Sequence, residues 1–117
     1  MTRTSYQTGL AAEALCRFAL RLKFYRVLAS RYKTPVGEID IVAARGKTLV
    51  AVEVKARATR EAALESISPQ QRARIANALQ AFTLRHPRFA GCDLRFDVMI
   101  AAPRRWPAHI ENAWQAD

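Results

Sequence analysis

The stretch from Gly37 to Lys55 constrains the fold more than any other part of this chain. Val36 to Ala43 and Thr48 to Lys55 are runs in which valine and isoleucine recur, the composition of a strand. Pro35 and Arg45-Gly46-Lys47 bound them. Strands joined by so tight a turn pair antiparallel, so the centre of the chain is a hairpin. Its apolar strands also carry acids: Glu38 and Asp40 on the first, and Glu53 on the second with Lys55 two residues on. In a strand, residues i and i+2 share a face. Glu53 and Lys55 therefore point one way, and Val50, Val52 and Val54 the other. By the same rule Glu38 and Asp40 share a face opposite Ile39 and Ile41.

The flanking sequence supplies helices. Residues 6–23 carry Leu10, Ala11, Ala14, Leu15, Phe18, Ala19 and Leu22 at helical spacing, which predicts a wide apolar face. Glu13, Arg17 and Arg21 form a separate stripe. Residues 25–32 read as a short edge strand, broken at Lys33-Thr34-Pro35. Residues 56–67 read as a polar loop or a short turn of helix. Ser68-Pro69-Gln70-Gln71 is a helix start, with Ser at the cap and Pro in the first turn. That helix runs to about His86 with Ile75, Leu79 and Phe82 inward, and Pro87 ends it. Leu94 to Ala101 is a fourth strand, and a last short strand falls near Ala108-His109-Ile110. The order α-β-β-β-α-β predicts an α/β fold, a mixed central sheet flanked by helices, with residues 1–117 as one domain. The crossover helix lets the fourth strand lie parallel to a neighbour.

Composition narrows the class. At 117 residues, 50% apolar and 25% charged, the chain can bury a core and does not resemble a disordered segment. No apolar run approaches the ~20 residues of a membrane span. The N-terminus lacks the apolar core of a signal peptide, so a cytoplasmic location is expected and no membrane partner. Cys16 and Cys92 read as buried reduced thiols, and His86 and His109 as surface or near-surface residues. Nineteen basic residues against ten acidic leave a net charge of +9. The arginines among them present forks that match phosphate oxygens, which points to nucleic acid.

The acids of the hairpin carry the chemistry. A two-residue loop at Arg45-Gly46 pairs Ala44 with Lys47, Asp40 with Ala51 and Glu38 with Glu53. Asp40 and Glu53 are then diagonal neighbours on one face, roughly 7–8 Å apart at the backbone. A three-residue loop without a bulge puts them on opposite faces and leaves no site. Converging carboxylates repel, and a hard divalent cation resolves the conflict. Mg²⁺ or Mn²⁺ is the expected cofactor. Lys55 can orient an attacking water, help deprotonate it, or hold the phosphate, which makes the set a minimal kit for phosphodiester hydrolysis.

At these residues the chain resembles a known group. Glu13, Gly37-Glu38-Ile39-Asp40 and Val52-Glu53-Val54-Lys55 are similar to the PD-(D/E)xK core of restriction-endonuclease-like nucleases, which includes the archaeal Holliday junction resolvases. The closer resemblance is to the YraN-like family of bacterial proteins. It rests on Gly37-Glu38-Ile39-Asp40, on Val52-Glu53-Val54-Lys55 with Arg57, on Arg95-Phe96-Asp97-Val98, and on the ending His109-Ile110-Glu111-Asn112-Ala113-Trp114. The resemblance implies that Asp40 and Glu53 are metal ligands, Lys55 the catalytic lysine, and Glu13 an accessory acid from the first helix. It also implies that Gln71 is a polar helix residue near the site, and that the protein is a homodimer.

Each residue has a plainer role beside the functional one. Glu13 can pair with Arg17 at i, i+4, and Glu38 with a nearby arginine. Lys55 can bridge Asp40 and Glu53 in a silent site. Asp97, two residues from Arg95, reads as structural. Arg57, Arg60, Arg72 and Arg74 either track a phosphate backbone or form a solvated face. The expectation is a metal-dependent endonuclease acting on DNA, in branched or structured form. The rivals are a non-catalytic nucleic-acid-binding module on the same fold and a basic domain that docks an acidic protein.

Overall fold

The computed structural model describes residues 5–116, and the first four residues, part of the segment read above for a signal peptide, lie outside them. Helix α1 spans Ser5–Leu22, followed by strands β1 (Arg26–Thr34), β2 (Gly37–Arg45) and β3 (Thr48–Lys55). Helices α2 (Arg60–Glu65) and α3 (Pro69–Arg85) and a 3-10 turn (Pro87–Phe89) lead to β4 (Asp93–Ile100) and β5 (Ala108–Trp114). The five strands form one mixed sheet in the order β1-β2-β3-β4-β5. Only β3 and β4 are parallel, as the crossover through α3 requires. The polar stretch 56–67 holds α2, capped by the Thr59 hydroxyl, which accepts from the Ala62 amide at 3.1 Å. Ser68 caps α3 in the same way, its hydroxyl accepting from the Gln71 amide at 3.1 Å.

Each face of the sheet has its own core. Ile75, Ala78, Leu79 and Phe82 of α3 cover Val42, Ala44, Leu49 and Ala51. Cys16, Ala19 and Leu20 of α1 cover Ile41, Ala43, Val50 and Val52. The buried face of α1 departs from the predicted stripe. Glu13, Cys16, Ala19 and Leu20 turn inward, while Leu10, Leu15, Phe18 and Leu22 are exposed. Small Cys16 and Ala19 let the helix approach the sheet closely. Glu13, one turn before Cys16, is drawn in by an ion pair with Arg31. The leucine stripe is left outside.

The hairpin turn also differs from expectation. Arg45 pairs with Thr48, so the two loop residues are Gly46 and Lys47 rather than Arg45 and Gly46. Gly46 takes φ +60°, the left-handed conformation that such a turn needs and that glycine adopts without strain. The register shifts by two residues, which preserves the faces. Ala51 then pairs with Val42 rather than Asp40, and one step beyond the Ile41–Val52 pair Asp40 comes directly opposite Glu53.

The expected alternation breaks at Asp40. Ile41 and Ala43 pack under α1, yet Ile39 packs with Val42 and Ala44 on the α3 side, so Ile39 and Ile41 do not share a face. The break is shared with β1. Between the pairs Ser30–Ile41 and Tyr32–Ile39 stands Arg31, with φ +50°. A left-handed residue there twists the hairpin, and Asp40 emerges at the crease. Just before it, β2 begins hard against α3. A Cβ on Gly37 would sit 2.2 Å from the Arg74 carbonyl oxygen, so only glycine permits this approach. That contact brings the first turns of α3 to the start of β2.

Candidate active site

Asp40 and Glu53 hold each other in place through the backbone. The Asp40 amide donates to Glu53 Oε2 at 3.1 Å, and the Val54 amide donates to Asp40 Oδ2 at 2.8 Å. Each carboxylate thus takes a main-chain donor from the strand opposite. Glu53 is buried and Asp40 half-buried. Burial and the facing Asp40 charge push Glu53 up to about 8, with the Asp40 amide and the Lys55 charge opposing. Burial also raises Asp40, reinforced by the Glu13 and Glu38 charges and opposed by the Val54 amide and Lys55. Lys55 forms no ion pair with either acid among the described residues.

Glu38, Asp40, Glu53, Lys55, Gln71 and Arg74 line one open cleft of about 470 Å³ between the hairpin and α3. The structure therefore brings together four of the five predicted site residues, Asp40, Glu53, Lys55 and Gln71. Glu13 is the exception. It takes Arg31 rather than Arg17, in a forked pair with Oε2 2.7 Å from Nη2 and 3.2 Å from Nε. Its carboxylate acts on the site at a distance, raising both Asp40 and Cys16. Burial, with Glu13 and Asp40 nearby, pushes the Cys16 thiol up to about 11, the state of an unreactive thiol. Cys92 is half-buried.

The predicted phosphate-facing arginines separate. Arg74 lines the cleft, while Arg57 lines a second cleft with Arg105, where the chain leaves β3 and β4. Arg60 is exposed at the start of α2. Arg72 turns inward instead, its guanidinium donating to the carbonyls of Ile67 and Leu64 and lying over the Trp114 ring.

A second polar cluster, on the α1 side, was legible only in part. Asp97 is fully buried. It accepts from Arg95 at 2.9 and 2.8 Å, from His109 Nε2 at 2.7 Å and from the Asn112 amide at 3.0 Å. Burial alone would raise this carboxyl, but the bonds from His109 and Arg95 outweigh it and hold it below the usual range. Arg95 also reaches the Tyr25 hydroxyl. The structural reading of Asp97 beside Arg95 holds. The surface reading of His109 does not, since its side chain is only 2% exposed. The reason is β5: antiparallel pairing with β4 turns His109 onto Asp97, and a tail read as three residues of strand hid that partner. His109 Nδ1 lies 3.1 Å from Lys23 Nζ, so with Nε2 donating to Asp97 this nitrogen accepts from the ammonium.

Two carboxylates at an open cleft suit a hard cation that keeps several waters. Among the described residues no three His, Cys, Asp or Glu side chains gather as a cage. A two-carboxylate Mg²⁺ site does not need one. The model described as uncharacterised protein family UPF0102 matches residues 12–101, which spans Glu13, Asp40, Glu53, Lys55, Gln71 and Asp97.

The chain belongs to the UPF0102 family.

Relatives carry that name along almost their whole length. A UPF0102 protein of Parvibaculum lavamentivorans is 51% identical over 95% of this chain and 84% of its own length. One from Methylorubrum extorquens is 47% identical over 98% of this chain and 90% of its own. One from Bradyrhizobium diazoefficiens is 46% identical over 96% and 84% respectively. The YraN-like resemblance is borne out, and so is the mixed sheet flanked by helices. Among the described residues no helix is long and apolar enough to cross a membrane.

Proposed function

We propose that this UPF0102 protein is a metal-dependent nuclease that cuts phosphodiester bonds in DNA, of branched or structured form, at the Asp40–Glu53 cleft. The observation that carries the reading is the placing of two carboxylates face to face at an open cleft, where among the described residues neither forms an ion pair and burial raises both, Glu53 to about 8. A fold bears such a pair at a cost to its own stability, and the arrangement has a purpose if a cation fills it. Asp40 and Glu53 would hold Mg²⁺ or Mn²⁺ as a pair. When bound, the ion supplies charge neutralisation at the phosphate and an acidified water. Lys55, on the same strand face as Glu53, orients the nucleophile or holds a phosphate oxygen. Gln71 and Arg74 reach the cleft from α3 and steady the strand. The +9 charge of the chain draws an anionic polymer to it.

A panel of junctions, flaps, single strands and duplexes, incubated with Mg²⁺ and with Mn²⁺, tests this directly. Cleavage of at least one substrate is expected, and Glu53→Ala should abolish it. Binding of the panel without cleavage by the wild-type protein in either metal would leave only a binding module on this fold.

A further inference from the structure

Among the described residues, α1 leaves one apolar face exposed. Phe18 and Leu22 are 52% and 58% exposed, and Leu10 and Leu15 continue the stripe. Trp106, 56% exposed, rises from the loop between β4 and β5 and meets Phe18 edge to face, the ring centroids 6.1 Å apart. A tryptophan held in water by a second aromatic ring offers a fixed, open π-surface.

The charges around this pair choose between occupants. Arg21 is one helical turn from Phe18, and Arg104 and Arg105 directly precede Trp106. No acidic residue occurs in 14–26 or 98–110, and Glu13 is buried in its pair with Arg31. A second copy seated here would set arginine against arginine with no acid to offset them. A polyanion that carries flat π-systems matches both features at once. The position fits as well. The loop leaves β4 where the Ala101 amide donates to the Lys55 carbonyl at 2.9 Å, and Arg105 shares a cleft with Arg57. The loop that carries Trp106 thus starts beside the strand end that bears Lys55.

We propose that Trp106, backed by Phe18, is a stacking platform for an unpaired base of a nucleic-acid strand whose phosphates pass Arg105 and Arg57 toward the Asp40–Glu53 cleft. This rests on the nucleic-acid reading above and goes beyond it: the platform selects substrates with single-stranded character beside the cut.

The test is metal-free titration of the full chain with a single strand, a flapped duplex and a blunt duplex, each carrying 2-aminopurine, at low salt. Tryptophan fluorescence is expected to be quenched by the first two and not by the blunt duplex, since Trp114 is buried. Trp106→Ala should weaken single-strand and flap binding about ten-fold and leave the duplex unchanged, while Trp106→Phe keeps most of the affinity. Phe18→Ala gives a second, milder variant, and far-ultraviolet dichroism confirms that each is folded. Salt-dependent binding of all three substrates, with no quenching and no loss in the variants, would overturn the platform and leave the nuclease reading standing. No binding of any substrate would overturn both. A wild-type dimer that Trp106→Ala dissociates in sedimentation would assign the face to a second copy instead.

Discussion

Two buried acid clusters lie on opposite faces of one sheet, and they are electrostatic opposites. Asp97, beneath α1, accepts four hydrogen bonds and is held ionised. Asp40 and Glu53, at the α3 cleft, share two amide donors, face each other and are both held toward the protonated form. Burial raises every one of these carboxyls, so burial does not distinguish them. What differs is the supply of side-chain donors. Arg95 and His109 satisfy Asp97 from the protein itself, and it has no capacity left for a ligand. The other pair has unused oxygens aimed at an open cleft. A saturated buried acid builds structure, and an unsaturated pair is equipped for chemistry.

The largest effect expected of this contrast comes from removing one charge in each cluster. Asp97→Asn leaves Arg95 partly buried and replaces a shared acceptor by an amide that cannot serve all its donors. It should cost about 3–5 kcal/mol in metal-free chemical denaturation. Asp40→Asn removes repulsion at nearly constant shape and should leave metal-free stability unchanged or raised, while abolishing cleavage. Lost stability with retained cleavage in Asp40→Asn would reverse the comparison.

Metal gives the next effect. Mn²⁺ or Mg²⁺ at about a hundred times its dissociation constant should stabilise the wild type by about 2.7 kcal/mol, read as a rise in melting temperature. Asp40→Asn and Glu53→Gln should each remove most of that rise. Phe18→Ala, far from the acids in role, should keep it. An equal rise in all variants would place the ion elsewhere.

Much of this contrast was legible from residue order, and the parts that were not have physical causes. Strand propensity and the short turn placed Asp40 and Glu53 on one face, although the loop was set one residue early. The shift was by an even number in register, so the side chains kept their sides. Alternation alone missed the crease at Asp40, because the left-handed Arg31 that makes it belongs to another strand. Helical spacing found α1 but chose the wrong face. Apolar periodicity ranks leucine above glutamate for burial, and here an arginine brought from β1 decides the matter. His109 was misplaced for the same kind of reason: its partner lies on β4, and nothing near it in the chain announces that.

The pH dependence separates the clusters again, by the sign of its slope. Glu53 is raised from 4.5 to about 8, so the folded state binds a proton that the unfolded state has already lost between those values. Metal-free stability should therefore fall as pH rises from about 4.5 to 8. Asp97 has the opposite sign. Its carboxyl is lowered from 3.8, so the stability it contributes is present above that value and is lost as pH falls below it. Glu53→Gln should flatten the upper limb of a melting-temperature profile and leave the acid limb in place. A profile in which Glu53→Gln instead removes the acid limb would exchange the roles of the two clusters.

The smallest effect on stability, and the sharpest on assignment, belongs to Lys55. The residue is half-buried and makes no ion pair with the acids, so Lys55→Met should change metal-free stability by no more than about 0.5 kcal/mol. Its charge nevertheless lowers both Asp40 and Glu53. Without it the carboxyls hold their protons to higher pH, and protons compete with the cation for the same oxygens. The midpoint of metal binding against pH should move upward in Lys55→Met, while saturating metal at high pH still stabilises the fold. Cleavage should stay absent even there, because the group that positions the nucleophile or the phosphate is gone. If high pH and saturating metal restored cleavage to wild-type rates, Lys55 would be only an electrostatic support for the two carboxylates, and the chemistry would rest on Asp40 and Glu53 alone.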